Sequence, residues 1–195
     1  MNDMNKHNDD EEFQAQIQKV NFLIQSQNYD EALKVCLNLE IKYSFMPELL
    51  FLFARIYKNL NQIDLAIKYY KKVLSINPDH PDTLNNLGNL YNATGNYNTA
   101  ISLFQKVILL LPNAPQPYSN ISQTYILVDD YDLAIKYAQK SIELNPSFLD
   151  AYHNLIKAQI NSDLFEDALY TVTRALDVEV NNNDTLILFS QVLEG

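Results

Sequence analysis

With 195 residues, 47% of them hydrophobic, the chain is long enough to bury a sizeable core. Its net charge of −10 repels a phosphate backbone and argues against nucleic acid as a partner. Three glycines are too few for phosphate-cradling loops or a turn-rich β fold, and the single cysteine, Cys36, permits neither an intrachain disulfide nor a cysteine metal cluster.

Residues 1–12, MNDMNKHNDDEE, carry −4 of the net charge. The segment is polar and acidic and lacks the apolar stretch of a signal peptide, so it reads as a disordered tail. No uninterrupted apolar run approaches the roughly 18 residues of a membrane span, so no membrane insertion is expected. A lone free cysteine fits a reducing compartment, and we expect a cytoplasmic location.

Beyond the tail one period governs the chain. Ala32, Ala66, Ala100, Ala134 and Ala168 stand 34 residues apart, as do Pro78, Pro112 and Pro146, and also Pro47, Pro81 and Pro115. A period of this length marks stacked supersecondary units that bury a shared core. Five units follow, 13–46, 47–80, 81–114, 115–148 and 149–182. In the second to fourth, a first helix carries large residues at positions 4, 7 and 11 and a small one at position 8 (Ala54, Gly88, Ser122), where two helices would cross closely. A second helix opens near position 17 with Tyr29, Tyr97, Tyr131 or Phe165 and holds alanine at position 20. Proline near position 32 stops it, because proline cannot donate and restricts the residue before it.

The first unit keeps Tyr29, Ala32 and Cys36 but has Gln16 and Lys19 at expected core places; its stripe Phe13, Ile17, Val20, Ile24 implies a slip of one residue. The second carries Leu50, Phe53, Ala54, Tyr57, Ala66 and Tyr70. The third carries Leu84, Leu87, Gly88, Tyr91, Ala100 and Phe104. The fourth has Tyr118, Ile121, Tyr125, Ala134 and Ala138, with Ser122 in place of glycine. The fifth has Tyr152, Leu155, Ala168 and Val172, but Gln159 at position 11 and Val180 where proline is expected. Residues 183–195 supply one more first helix, apolar nearly all round. It reads as a capping helix or the first helix of a truncated sixth repeat, with Leu188, Phe189 and Val192 as candidates for self-association.

From residue 13 to the end, these positions resemble the tetratricopeptide repeat (TPR) family. The resemblance implies an all-α solenoid of stacked helix–turn–helix units forming a right-handed superhelical arc, with first helices lining a concave groove. It also implies protein or peptide partners.

The asparagines gain meaning in that frame. Position 6 of the first helices reads Leu52, Asn86, Asn120, Asn154, Leu188, and it lies opposite positions 4, 7, 8 and 11 on a helical wheel. The run resembles the asparagine ladder in the TPR arm of O-linked N-acetylglucosamine transferase. There, as the resemblance implies, side-chain amides hydrogen-bond the backbone of an extended peptide. An amide offers both donor and acceptor, so it suits a peptide bond of any sequence. The alternative is a tolerated solvent-facing residue in an asparagine-rich chain. The expected groove also takes in Phe51 and Asn85 at position 5 and Arg55, Asn89, Gln123 and Lys157 at position 9. The Lys/Asn/Arg set with which chaperone-binding TPRs clamp two carboxylates is matched only in its asparagines, so a chaperone's acidic C-terminal tail is not the expected ligand.

No catalytic set suggests itself, and no cofactor or metal is expected: His7, His80 and His153 share no ligand spacing. The thirteen tyrosines fall on repeat positions and are expected mostly in the core rather than on a base-stacking platform. The sequence thus reads as a non-catalytic protein–protein interaction scaffold binding a peptide segment of a partner. Two alternatives are a self-assembling structural protein, a homo-oligomer through its last helix, and the substrate-recruiting arm of a larger protein-modifying enzyme such as a glycosyltransferase.

Overall fold

The computed structural model describes residues 2–194, with side chains from residue 11. Met1, Gly195 and the side chain of His7 lie outside the described residues. The described residues form eleven α-helices and no strand. In chain order they are α1 (Asn2–Gln25), α2 (Tyr29–Tyr43), α3 (Pro47–Asn59), α4 (Ile63–Ile76), α5 (Pro81–Ala93), α6 (Tyr97–Leu110), α7 (Pro115–Leu127), α8 (Tyr131–Leu144), α9 (Leu149–Asn161), α10 (Phe165–Val178) and α11 (Asn183–Glu194). The fold is an all-α solenoid of helical repeats.

Local chemistry sets the helix ends. Pro47, Pro81 and Pro115 each open a first helix, where a missing N–H costs nothing and the fixed φ is already helical. Between the two helices of every repeat one residue turns left-handed, with φ of 58° at Gln27, Asn61 and Asp129, 57° at Asp163 and 76° at Gly95. The second helices α4 and α8 end on extended residues, Asn77 and Asn145, each followed by proline. The side chains of these asparagines accept from the backbone N–H two residues on, at 3.3 Å and 3.0 Å. The fifth repeat has no proline there, yet α10 still stops, with Glu179 extended. Asn96, at the N-cap of α6, makes no side-chain cap bond; its amide donates to the Thr94 carbonyl and hydroxyl.

Residues 2–12, expected as a disordered tail, continue α1. Neither proline nor glycine occurs before Pro47, so nothing in the backbone chemistry stops the helix there. Its following turns are anchored by Phe13, Ile17, Val20 and Ile24, the shifted stripe, all buried.

The chain divides into two compact halves, Met1–Leu84 and Asn85–Gly195, the division falling inside α5. In the first half, the α1 stripe packs with Ala32, Cys36, Leu49, Phe53 and Ile56. Fully burying a side chain such as Phe53, at 0% exposure, contributes about 1.5–3 kcal/mol. In the second half Ala100, Phe104 and Ile121 form one cluster, and Tyr152, Ile156, Val172 and Leu188 belong to another. The small residue at position 8 works in two ways there. A Cβ on Gly88 would stand 2.5 Å from Cε1 of Phe104, so α5 and α6 approach too closely for a side chain. Ser122 fits by donating its hydroxyl to the Ala134 carbonyl at 2.7 Å. Tyr118 and Tyr152 tie repeat to repeat, their hydroxyls donating to the carbonyls of Pro112 and Pro146 at 3.1 Å each. The expectation of mostly core tyrosines is corrected: only Tyr70 and Tyr152 are buried, Tyr170 is 65% exposed, and the others are half-buried between helices. A phenol keeps its ring in the seam and its hydroxyl near water.

Candidate functional site

Asn120 Nδ2 donates to Asn85 Oδ1 at 2.7 Å. Asn154 is only 8% exposed, and its Nδ2 donates to both the carbonyl and the hydroxyl of Ser119 at 3.0 Å. Position 6 of one repeat therefore meets position 5 of the repeat before it. Leu52 and Leu188, which hold position 6 elsewhere, are 3% and 4% exposed. Asn86 is half-buried and itself partnered. Position 6 is thus not the open edge that the helical wheel suggested. A wheel describes one helix, whereas consecutive first helices lie side by side and close over this row. Asn120 and Asn154 use amide protons within the protein, leaving less to offer a peptide.

Position 2 is open throughout, with Glu48, Asp82, Gln116 and Asp150 exposed. Position 9 is exposed at Gln123 and Lys157, while Arg55 and Asn89, like Asn85 at position 5 and Asn86 and Asn120 at position 6, are half-buried. In the first half, α1, α3 and the 77–82 connector enclose a cleft of about 510 Å³. Phe51, Leu52 and Ile17 supply apolar surface, Arg55 and Asn21 supply polar surface, and the carboxylates of Glu48 and Asp82 also line the cleft. Arg55 Nη1 donates to Asn21 Oδ1 at 2.9 Å, and the guanidinium carbon lies 6.0 Å from the Phe51 ring centroid. Among the described residues Arg55 meets no carboxylate. The Phe51 ring is held by Tyr70 at 5.7 Å and His80 at 5.3 Å between centroids. Tyr70 is fully buried and its hydroxyl has no partner. Burial pushes that phenol above the usual tyrosine range, with the Arg55 charge acting the other way. At the rim, Gln14 Nε2 donates to Glu48 Oε2 at 3.2 Å.

Sequence reasoning found Phe51 and Arg55 here but missed Asn21, His80 and Tyr70. A signal for the first was present: Asn21 and Arg55 are 34 residues apart, the same position in adjacent repeats. No comparable signal pointed to Tyr70 or His80. The surface proposed for self-association is corrected as well. Leu188 and Val192 are buried in the second half's core and Phe189 packs against it. The outward apolar residues of α11 are Leu186, Ile187 and Leu193, at 42%, 56% and 66% exposure. Beside them His153 Nε2 lies 2.8 Å from Thr185 Oγ1, and burial lowers the imidazole pKa from 6.5. Among the described residues no group of three or more His, Cys, Asp or Glu stands ready to hold a metal ion, and no helix is long and apolar enough to cross a membrane.

Models of the family described as "Tetratricopeptide repeat" match residues 47–80 and 79–147, together just over half of the chain. The chain is a TPR protein. No curated protein matches its sequence. Among solved structures, PilF of Pseudomonas aeruginosa is 18% identical with a TM-score of 0.83, the match covering 95% of this TPR chain and 84% of PilF. PilW, described as a type IV pilus biogenesis factor, is 21% identical with a TM-score of 0.83, covering 93% and 86%. The first TPR of Spaghetti (RPAP3), bound to the HSP90 peptide SRMEEVD, is 24% identical with a TM-score of 0.56, covering 58% and 93%. At these identities the likeness is one of TPR fold.

Proposed function

We propose that this TPR protein is a non-catalytic, cytoplasmic scaffold that holds a peptide segment of a partner protein on its first-helix face. The principal anchor is the cleft of Phe51 and Arg55. The observation that carries this reading is Arg55, a guanidinium fixed by Asn21 beside an aromatic ring and without a carboxylate partner. Such a site suits an apolar side chain next to an acidic one within an extended segment. The acidic peptide bound by the RPAP3 domain supports that chemistry on this fold. Asn85, Asn89, Gln123 and Lys157 lie on first helices of the second half, where they offer polar groups of their own to a peptide. Labelled peptides alternating apolar and acidic residues, titrated by fluorescence anisotropy, are expected to bind saturably. Arg55→Ala weakens that binding about tenfold or more, since a charge-assisted hydrogen bond contributes about 1.5–3 kcal/mol. An absence of saturable binding across a diverse set, or an unchanged affinity for Arg55→Ala, sinks the reading.

A second reading, self-assembly, rests on the exposed Leu186, Ile187 and Leu193. Light scattering over a concentration series then shows mass rising with concentration in the wild type and constant in Leu193→Lys. A constant mass for both leaves only the scaffold.

A further inference from the structure

The fifth repeat departs from its neighbours at two positions that face each other. Position 11 is Tyr57, Tyr91 and Tyr125 in the second to fourth repeats but Gln159 in the fifth; position 23 is Tyr69 and Tyr137 in the second and fourth but Thr171 in the fifth. Where both are tyrosine the rings pair, with centroids 5.4 Å apart for Tyr57–Tyr69 and 5.6 Å for Tyr125–Tyr137. Where both are lost, a pocket of about 530 Å³ opens between α8, α9 and α10. Gln159 and Thr171, at 6% and 3% exposure, line it with Ile142, Leu155 and Leu164. Arg174 also lines it, with its guanidinium carbon 5.9 Å from the Tyr170 ring centroid and Nη2 donating to the Tyr152 hydroxyl at 3.2 Å. The Thr171 hydroxyl already donates to the Asp167 carbonyl at 2.9 Å. Gln159 Oε1, in contrast, is buried and accepts no hydrogen bond. A buried acceptor without a donor is unfavourable, and an incoming O–H removes the penalty.

We propose that this pocket is a second docking site, which receives a tyrosine side chain from a partner protein. The ring lies against Ile142 and Leu155, and the hydroxyl donates to Gln159 Oε1. The chain itself argues for that occupant, because two other repeats fill the corresponding space with their own tyrosines. The walls belong largely to second helices, so the site is independent of the Arg55 cleft.

The test is a titration of the full-length, ¹⁵N-labelled chain followed by amide chemical shifts. The probes are N-acetyltyrosinamide, N-acetylphenylalaninamide and p-cresol at millimolar concentration. Saturable shifts confined to residues around 139–174 are expected, several-fold weaker for the phenylalanine analogue. The Gln159→Tyr/Thr171→Tyr variant fills the pocket with the rings of the other repeats and loses the shifts. Should that variant fail to fold, Gln159→Leu decides: it keeps the cavity and removes the preference for tyrosine over phenylalanine. Three results overturn the proposal: no shifts in this region, equal shifts in a folded double variant, or binding of p-cresol without the tyrosine derivative, which leaves a small-phenol pocket only.

Discussion

A methyl group on Gly88 runs into the fully buried Phe104 ring, which must shift to admit it. Gly88→Ala is therefore expected to cost about 1–3 kcal/mol, read from urea denaturation, although alanine is the better helix former. The opposite holds at Gln27, an exposed residue at φ 58°. A left-handed conformation costs a residue with a Cβ about 1–2 kcal/mol, so Gln27→Gly raises stability, by less than that because glycine also loosens the unfolded chain. His153 gives a pH signature. Burial lowers its pKa in the fold, while Asp184, Asp150 and Glu179 raise it and Lys157 lowers it further. Above 6.5 the imidazole is neutral both folded and unfolded, and stability is at its full value. Below 6.5 the unfolded chain takes up the proton first, and stability falls until the folded pKa is passed. Thermal melts below that pH are expected to fall less steeply in His153→Gln.

Among the helices, the asparagine row is the most instructive element. Its spacing was legible in the sequence, because Asn86, Asn120 and Asn154 recur at one period. Its partners were not, because Asn85 and Ser119 come within reach only when consecutive first helices are set side by side. Asn154→Ala removes two hydrogen bonds and leaves buried acceptors short, so a loss of about 1–3 kcal/mol is expected. Asn120→Ala, at a half-buried site with one such bond, costs less. A ladder that served only a bound peptide would instead leave both variants as stable as the wild type. In α11 the periodicity was legible as apolar nearly all round, but which residues the core claims was not: packing takes Leu188 and Val192 and leaves Leu186, Ile187 and Leu193 outside.

For the molecule as a whole, repeats bond to their neighbours and stability is distributed rather than centred. Cys36 reports on the first half. It is fully buried, and burial together with Glu40 pushes its thiol pKa up to about 12. Thiol labelling at neutral pH then requires opening of α1 and α2. The opening free energy from labelling is expected to be smaller than that of global unfolding followed by circular dichroism, because a terminal repeat opens without the rest. Equal values would mean that the chain unfolds as one cooperative body.

The sequence by itself determined the period, the helix pairs and their ends. These follow from local chemistry repeated at fixed spacing: proline at Pro47, Pro81 and Pro115 to open first helices, and alanine from Ala32 to Ala168 where the second helices pack closely. Only the tertiary structure decided what the surfaces do. It turned Asn120 and Asn154 inward, set Arg55 against Asn21 and Phe51, and opened the space between Gln159 and Thr171. Each of these depends on the distance between helices, which is set when whole repeats pack and is written in no single stretch of chain.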